Sequence, residues 1–322
     1  MKLALLDDYQ RLALQSADWD RLKRRGVEIT VFHEPFSSVD DAAAKLKPFD
    51  ILCPLRERTA FPRALTERLP SLKFFALTGI RAASLDSQYL AERRIPVSNT
   101  RSGNSTDLTA ELCWGLIISA ARDMAKGERN MRAGKWHEGL APGIGLKGKR
   151  LGVIGLGKIG ARVGAIGQAF GMDVVAWSQN LTPEKAKEAG VGFAEKKVLL
   201  ETADVVSLHL VLSDRTRGII STPEFALMKS SAIMVNVSRG PLVDEKAMLD
   251  ALRSGRIAHA ALDVYDREPL PADHPLRKLE NVTLSPHLGY VNDENLRQFY
   301  GDALENIEAF LDGKPIRVIN GV

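Results

Sequence analysis

Arg239, Glu268 and His287 are the residues whose types and setting point most directly to chemistry. They lie in AIMVNVSRGPLVDE, ALDVYDREPLP and VTLSPHLG, and in each a short apolar run of strand type breaks into a polar turn bearing Gly or Pro. Such breaks put side chains at the carboxyl edge of a parallel sheet, where ligands bind. A guanidinium can clamp a carboxylate in fork geometry, an imidazole can pass a proton near neutral pH, and a carboxylate can hold that imidazole. The set suits 2-oxo or 2-hydroxy acids. Taken singly, each has a plainer reading: an arginine that bridges surfaces, a glutamate that only makes a turn before proline, a histidine satisfied in a core.

The elements that must position these residues alternate along the chain. KLALLD, VEITVF, DILCPL, LKFFAL and PVSN read as strands, separated by helices of about ten residues around ADWDRLKRRG, SVDDAAAKLK and PRALTERL. This is the βαβ pattern of a parallel sheet. A second block runs through RLGVI, DVVAWS, ADVVSLHL, AIMVNVS, HAALDVY and NVTLSP, again with helices between. Between the blocks, TDLTAELCWGLIISAARDMAKGERNMRAGKW predicts one long connecting helix, broken near Gly134, with Trp136 in the following loop either at a dimer contact or packed on its own domain. After Tyr290, NDENLRQFYGDALENIEAFLDG predicts a single amphipathic helix closed by Gly313; it is too short for a domain, and the first block is its natural host. The expected fold class is therefore α/β, with two doubly wound parallel-sheet domains. Residues 1–99 with 290–322 would form a discontinuous substrate-binding domain and 100–289 a dinucleotide-binding domain, the two crossings acting as a hinge over a cleft.

Gly155, Gly157 and Gly160 form G-L-G-K-I-G directly between the strand RLGVI and the helix ARVGAIGQAF. The first glycine permits a tight turn, the second lets backbone approach a pyrophosphate, the third lets helix and strand pack closely, and the helix N-terminus offers N–H donors to the anion. The strand DVVAWS then ends in Ser178, Gln179 and Asn180. An acid at that point would grip the ribose hydroxyls of NAD and repel the extra phosphate of NADP. Without it NAD(P) is expected, NADP slightly favoured over NAD, with Lys185 and Lys187 in reach of the phosphate.

Composition bounds the rest. The chain has 322 residues, 45% hydrophobic and 26% charged, with a net charge of +4; at ~150 residues per domain this means about two domains. Its basic residues are interleaved with acidic ones, as in RLKRRGVE, so the clustered footprint of a nucleic-acid binder is missing. Cys53 and Cys113 sit in apolar or helical contexts, which suits core thiols in a reducing cytoplasm. MKLALLDDY reaches two aspartates at once and reads as a first strand rather than a signal peptide, and no apolar run approaches the ~18 residues of a membrane span. No metal site is expected.

GLGKIG, VSLHLVLSDRTRGII, NVSRGPLVDE, ALDVYDREPL and SPHLG, in this order and spacing, closely resemble the D-isomer-specific 2-hydroxyacid dehydrogenases over nearly the whole chain. The resemblance implies flavodoxin-like and Rossmann-like domains, hydride transfer between NAD(P)H and a 2-oxo acid, and a homodimer. It implies that Arg239 holds the substrate carboxylate and carbonyl, that His287 is the acid or base, and that Glu268 pairs with it. Asp263 would bond the nicotinamide carboxamide and Thr109 would lie near the nicotinamide face. Lys158, Ile159, Ser178, Gln179, His209 and Val237 join the glycines as cofactor contacts.

For the substrate, PLRERTAFP resembles the family loop that places Arg56 on the acid; alternatively Arg56, Glu57 and Arg58 are a solvated charge cluster. LTGIRAASLD aligns with a turn usually written T-G-x-G-x-D-x-x-D, whose backbone N–H groups around Thr78 and Gly79 bind the carboxylate. Arg81 stands where that turn has its second glycine and Ala83 where it has its first aspartate, so Arg81 either reaches the acid or points to solvent. STDLTAE is similar to a stretch of glyoxylate and hydroxypyruvate reductases, which makes such a reductase the leading expectation. The alternatives are a phosphoglycerate dehydrogenase-like enzyme and a nucleotide-sensing corepressor on the same fold.

Overall fold

A computed structural model describes residues 1–322, which form two compact units: residues 1–104 with 291–322, and residues 105–290. The chain leaves the first unit five residues later than the sequence pattern suggested and returns one residue later. The first unit holds β1 (Lys2–Leu5), β2 (Glu28–Val31), β3 (Ile51–Cys53), β4 (Phe74–Ala76) and β5 (Val97–Ser98), all parallel in the order β2-β1-β3-β4-β5. This is a flavodoxin-like order, whose switch point lies between β1 and β3.

Side-chain alternation buries both faces of this sheet. Ala4, Leu6, Leu52, Phe75, Leu77 and Val97 pack in one apolar layer. On the other face Phe74 stacks on Phe310 of the helix Asp293–Leu311, with ring centroids 4.5 Å apart. That helix turns Leu296, Phe299, Tyr300, Ala303, Leu304 and Ile307 inward, so the C-terminal segment supplies the missing layer of the first unit. Its buried Asp302 accepts from the Arg101 backbone N–H at 2.9 Å and pairs with the Arg101 guanidinium at 2.6 Å. Burial alone would raise the Asp302 pKa, but these bonds hold it below the usual carboxylate range.

The second unit contains β6 (Arg150–Ile154), β7 (Asp173–Trp177), β8 (Gly192–Phe193), β9 (Val205–Leu208), β10 (Ile233–Asn236), β11 (His259–Leu262) and β12 (Val282–Leu284). Its sheet runs β12-β11-β10-β9-β6-β7-β8 and is parallel throughout. The two-residue β8 was not visible in the sequence pattern. Val205, Ile233, Val235 and Ala261 face one apolar layer, and Val206, Leu208, Met234, Ala260 and Leu262 face the other. Burial on both faces explains why these strands read as continuous apolar runs. The order reverses between β6 and β9, which opens a crevice at their carboxyl ends.

The connecting segment is two helices, Ser105–Ala121 and Met124–Arg132, and not one. Asp123 takes a left-handed backbone, φ 52°, which ends the first helix although no Pro or Gly marks the place. Cys53 and Cys113 are free thiols at zero exposure, and burial pushes both up to about 12, so neither ionises near neutrality. No helix is long and apolar enough to cross a membrane.

Candidate active site

In the second unit, three strand ends bring Arg239, Glu268 and His287 into one neighbourhood. β10 ends at Asn236, whose side chain accepts from the Ser238 N–H at 3.0 Å and donates to the Arg239 carbonyl at 2.9 Å, fixing the turn that presents Arg239. The next residue must be glycine, because a side chain on Gly240 would fall onto the Tyr265 backbone. That close approach draws the Arg239 turn against the loop after β11. There Glu268 accepts the Tyr265 N–H at 2.9 Å with one oxygen and meets His287 Nδ1 at 2.6 Å with the other. Burial would raise the Glu268 pKa, yet the hydrogen bond and charge of His287, the Tyr265 N–H and the charge of Arg239 together hold it below its ordinary value. Glu268 is thus a carboxylate acceptor. With Nδ1 engaged by it, Nε2 is the ring nitrogen of His287 left to exchange a proton with a ligand.

His287 adopts a left-handed backbone, φ 54°, and the surrounding loop is held by Asp263. Asp263 is fully buried and accepts from Ser285 Oγ at 2.5 Å, the Leu288 N–H at 2.8 Å and the Gly289 N–H at 2.9 Å. The Thr109 hydroxyl lies 2.7 Å from the Ser105 carbonyl and 2.9 Å from the Gly289 carbonyl, sharing its proton between them and tying the same loop to the helix Ser105–Ala121. The Tyr265 hydroxyl donates to the Ser285 carbonyl at 2.8 Å. Asp263 and Thr109 were expected as nicotinamide contacts; in the structure their bonds aim the loop that carries His287. Asn236, Gly240, Tyr265, Ser285 and Gly289 were missed in sequence. The polar Asn236 closing a run of buried apolar residues was the one readable signal.

The glycine loop fits a dinucleotide. Gly155 has φ 103°, and a Cβ there would come 2.7 Å from the His209 carbonyl carbon; a Cβ on Gly160 would strike the Gly155 carbonyl. Gly157, by contrast, is exposed with open space where its Cβ would be. The first and third glycines therefore close the strand–helix contact, and the second leaves room for a pyrophosphate at the N-terminus of the helix Lys158–Ala169. Lys158 is exposed and Ile159 half-buried in its first turn, while Val237 is buried past the end of β10. Ser178 and Gln179 lie beyond β7 with no acid beside them. His209 contributes backbone against Gly155. Its ring Nε2 meets Ser207 Oγ at 2.8 Å, Nδ1 is buried without a hydrogen-bond partner, and burial pushes the ring well below the usual histidine range.

In the first unit, the loop after β3 and the turn after β4 meet. The Arg56 N–H donates to Thr78 Oγ1 at 2.7 Å, and the Thr78 hydroxyl donates to the Pro54 carbonyl at 3.0 Å. The Arg56 guanidinium lies over the Cα of Gly79, where any side chain would collide with it, and 5.6 Å from the Phe299 ring. Arg56 is thus seated on a built platform and is not part of a loose solvated cluster. The Gly79 N–H, expected to bind a carboxylate, is instead donated to Thr100 Oγ1 at 2.6 Å, and the Thr78 hydroxyl is spent inside the unit. Both seat Arg56. Arg81 is exposed, and no hydrogen bond or ion pair ties it to the platform.

Across the switch point of this sheet, Asp7 follows β1 in a left-handed backbone, φ 63°, and accepts from Thr59 Oγ1 at 2.7 Å; Arg58 donates to its carbonyl at 2.8 Å. Only 1% of Asp7 is exposed, its other carboxylate oxygen has no partner, and burial pushes its pKa up to about 6 from 3.8. The folded state therefore holds this proton more tightly than the unfolded chain. The stability it contributes is complete below about pH 4 and is lost as pH rises through 6, about 3 kcal/mol in all. Asp7→Asn, which the left-handed backbone tolerates, should gain stability relative to the parent between pH 5 and pH 8. Thermal melts across that range giving a constant Tm difference would rule out a titrating Asp7.

The family model described as "D-isomer specific 2-hydroxyacid dehydrogenase, NAD binding domain" matches residues 114–289. A glyoxylate reductase of Aeropyrum pernix is 38% identical over 286 residues, covering 84% of this chain and 85% of that protein. A hydroxypyruvate reductase of Blautia hydrogenotrophica is 31% identical over 99% of this chain and 100% of its own length. Among solved structures, a putative D-3-phosphoglycerate dehydrogenase from Ralstonia solanacearum superposes with a TM-score of 0.91 at 35% identity, covering 99% of this chain and 96% of that one. The paired carboxylate and imidazole, the adjacent guanidinium, the nucleotide loop and these likenesses converge: the chain belongs to the D-isomer-specific 2-hydroxyacid dehydrogenases, NAD(P)-linked oxidoreductases.

Proposed function

We propose that the protein is a reductase of glyoxylate, hydroxypyruvate or a similar short 2-oxo acid, using NADPH in preference to NADH. The observation that carries this reading is the 2.6 Å contact between His287 Nδ1 and a charged Glu268, with Arg239 beside them. The names of the Aeropyrum and Blautia relatives support the substrate class. Gly155, Gly157, Lys158, Ile159 and Gly160 would hold the pyrophosphate, with Ser178, Gln179, His209 and Val237 along the rest of the nucleotide. The bound reduced nucleotide supplies the hydride. Arg239 grips the carboxylate and polarises the carbonyl with its planar fork, and His287 Nε2 delivers a proton to the carbonyl oxygen as the carbon becomes tetrahedral. Glu268 stabilises the positive charge of the imidazolium before transfer and orients the ring through Nδ1. Arg56, seated on Gly79, is proposed as a second carboxylate contact.

A homodimer in a reducing cytoplasm is proposed with it; exposed Met124, Met131 and Trp136 on one segment of the second unit support a covered surface. Absorbance of NADPH and NADH should be followed with glyoxylate, hydroxypyruvate, 3-phosphohydroxypyruvate, pyruvate and phenylpyruvate. Glyoxylate or hydroxypyruvate is expected to give the highest kcat/KM. Turnover of 3-phosphohydroxypyruvate above both would replace this reading with that of the phosphoglycerate dehydrogenases, a name carried by the Ralstonia structure. No turnover on any 2-oxo acid would favour a nucleotide-sensing binding protein.

A further inference from the structure

We propose that Arg215 is the residue that recognises the 2′-phosphate of NADP, so that the cation for this group comes from the loop after β9 and not from the end of β7. The inference rests on the NADPH preference proposed above. β9 and β7 flank β6, the strand that feeds the glycine loop. The loop after β9 packs its His209 backbone against Gly155 on one side. On the other side, Gln179 just past β7 donates from Nε2 to the Arg215 carbonyl at 3.1 Å. The two flanking loops therefore meet, and the bond holds the Arg215 backbone against the side chain of Gln179, one residue past Ser178, where the ribose-binding acid of an NAD site would stand.

The loop is ordered. The Thr216 hydroxyl donates to the Val211 carbonyl at 2.7 Å and accepts the Ser213 N–H at 2.8 Å, and Thr216 is buried. Arg215 precedes this anchor with an exposed side chain that no ion pair or hydrogen bond engages. Arg217 on the same loop lies near Asp266, where its charge partly offsets the rise in pKa that burial and the neighbouring Glu245 and Asp244 cause. Asp214 is the one acid in the loop, set against these two arginines. Ser178, Gln179 and Asn180 add no negative charge to oppose a phosphate. Lys185 and Lys187 lie on the helix Pro183–Glu188, and a lysine is a hydrated point charge without the planar fork that matches a phosphate.

Equilibrium binding of NADPH and NADH, read by quenching of protein fluorescence without substrate, tests this in the parent, Arg215→Ala and the Lys185→Ala/Lys187→Ala double variant. Arg215→Ala should weaken NADPH roughly 10- to 100-fold, the scale of charge-assisted hydrogen bonds, and leave NADH binding unchanged. The double variant should keep most of the preference. A parent that binds NADH as tightly as NADPH would remove the underlying cofactor reading. A parent that prefers NADPH while Arg215→Ala keeps that preference would overturn the assignment alone. So would an equal loss of both nucleotides, or a preference lost only in the double variant.

Discussion

His287→Asn should lower kcat by about two to four orders of magnitude while leaving NAD(P)H affinity unchanged, the scale expected when a general acid is removed. Asparagine is the informative replacement because residue 287 has φ 54°, a region that asparagine tolerates and most side chains do not. The Ser285 hydroxyl and the Leu288 and Gly289 N–H groups donate to Asp263, the Ser285 and Gly289 carbonyls accept from Tyr265 and Thr109, and none of these bonds needs the imidazole. The fold of the loop should therefore survive while proton delivery is lost. Stopped-flow hydride transfer with glyoxylate, paired with a nucleotide titration, separates the two. Parent-like turnover would show that the proton comes from elsewhere; loss of nucleotide affinity would show that His287 is structural.

Arg239→Lys should reduce kcat/KM roughly 10- to 1000-fold, corresponding to one or both charge-assisted hydrogen bonds of a bidentate clamp. The substitution isolates geometry from charge. Arg239 helps hold Glu268 ionised, and lysine keeps that positive charge, so the Glu268–His287 pair should persist. The turn itself is fastened through the residue 239 carbonyl by Asn236, which does not depend on the side chain. What lysine cannot do is present two coplanar donors to a carboxylate and its neighbouring carbonyl. Steady-state kinetics on a 2-oxo acid would decide; an Arg239→Lys variant with kcat/KM close to the parent would contradict the clamp.

The nucleotide loop and the Arg239, Glu268 and His287 trio were legible in sequence because each depends on a local pattern, an apolar strand running into a turn. Gly155, Gly157 and Gly160 follow from what one strand–turn–helix can sterically allow. The two parallel sheets were legible because burial on both faces makes each strand a continuous apolar run. The break at Asp123 was not, since no Pro or Gly marks it and the left-handed residue is accepted only in its tertiary setting.

Sequence by itself determined which residue types stand at the strand ends and hence which chemistry the chain can carry. Tertiary structure decided how those residues are aimed. Thr109 and Gly289 are 180 residues apart yet share the hydrogen bond that fixes the His287 loop, and the tasks of Asp263, Thr78 and the Gly79 N–H became clear only when their partners were known. Gln179 and Arg215, 36 residues apart, meet in the same way. The physical reason is that a turn's shape is set by neighbours along the chain, whereas a buried hydrogen bond is set by whichever donor and acceptor the packed sheets bring together.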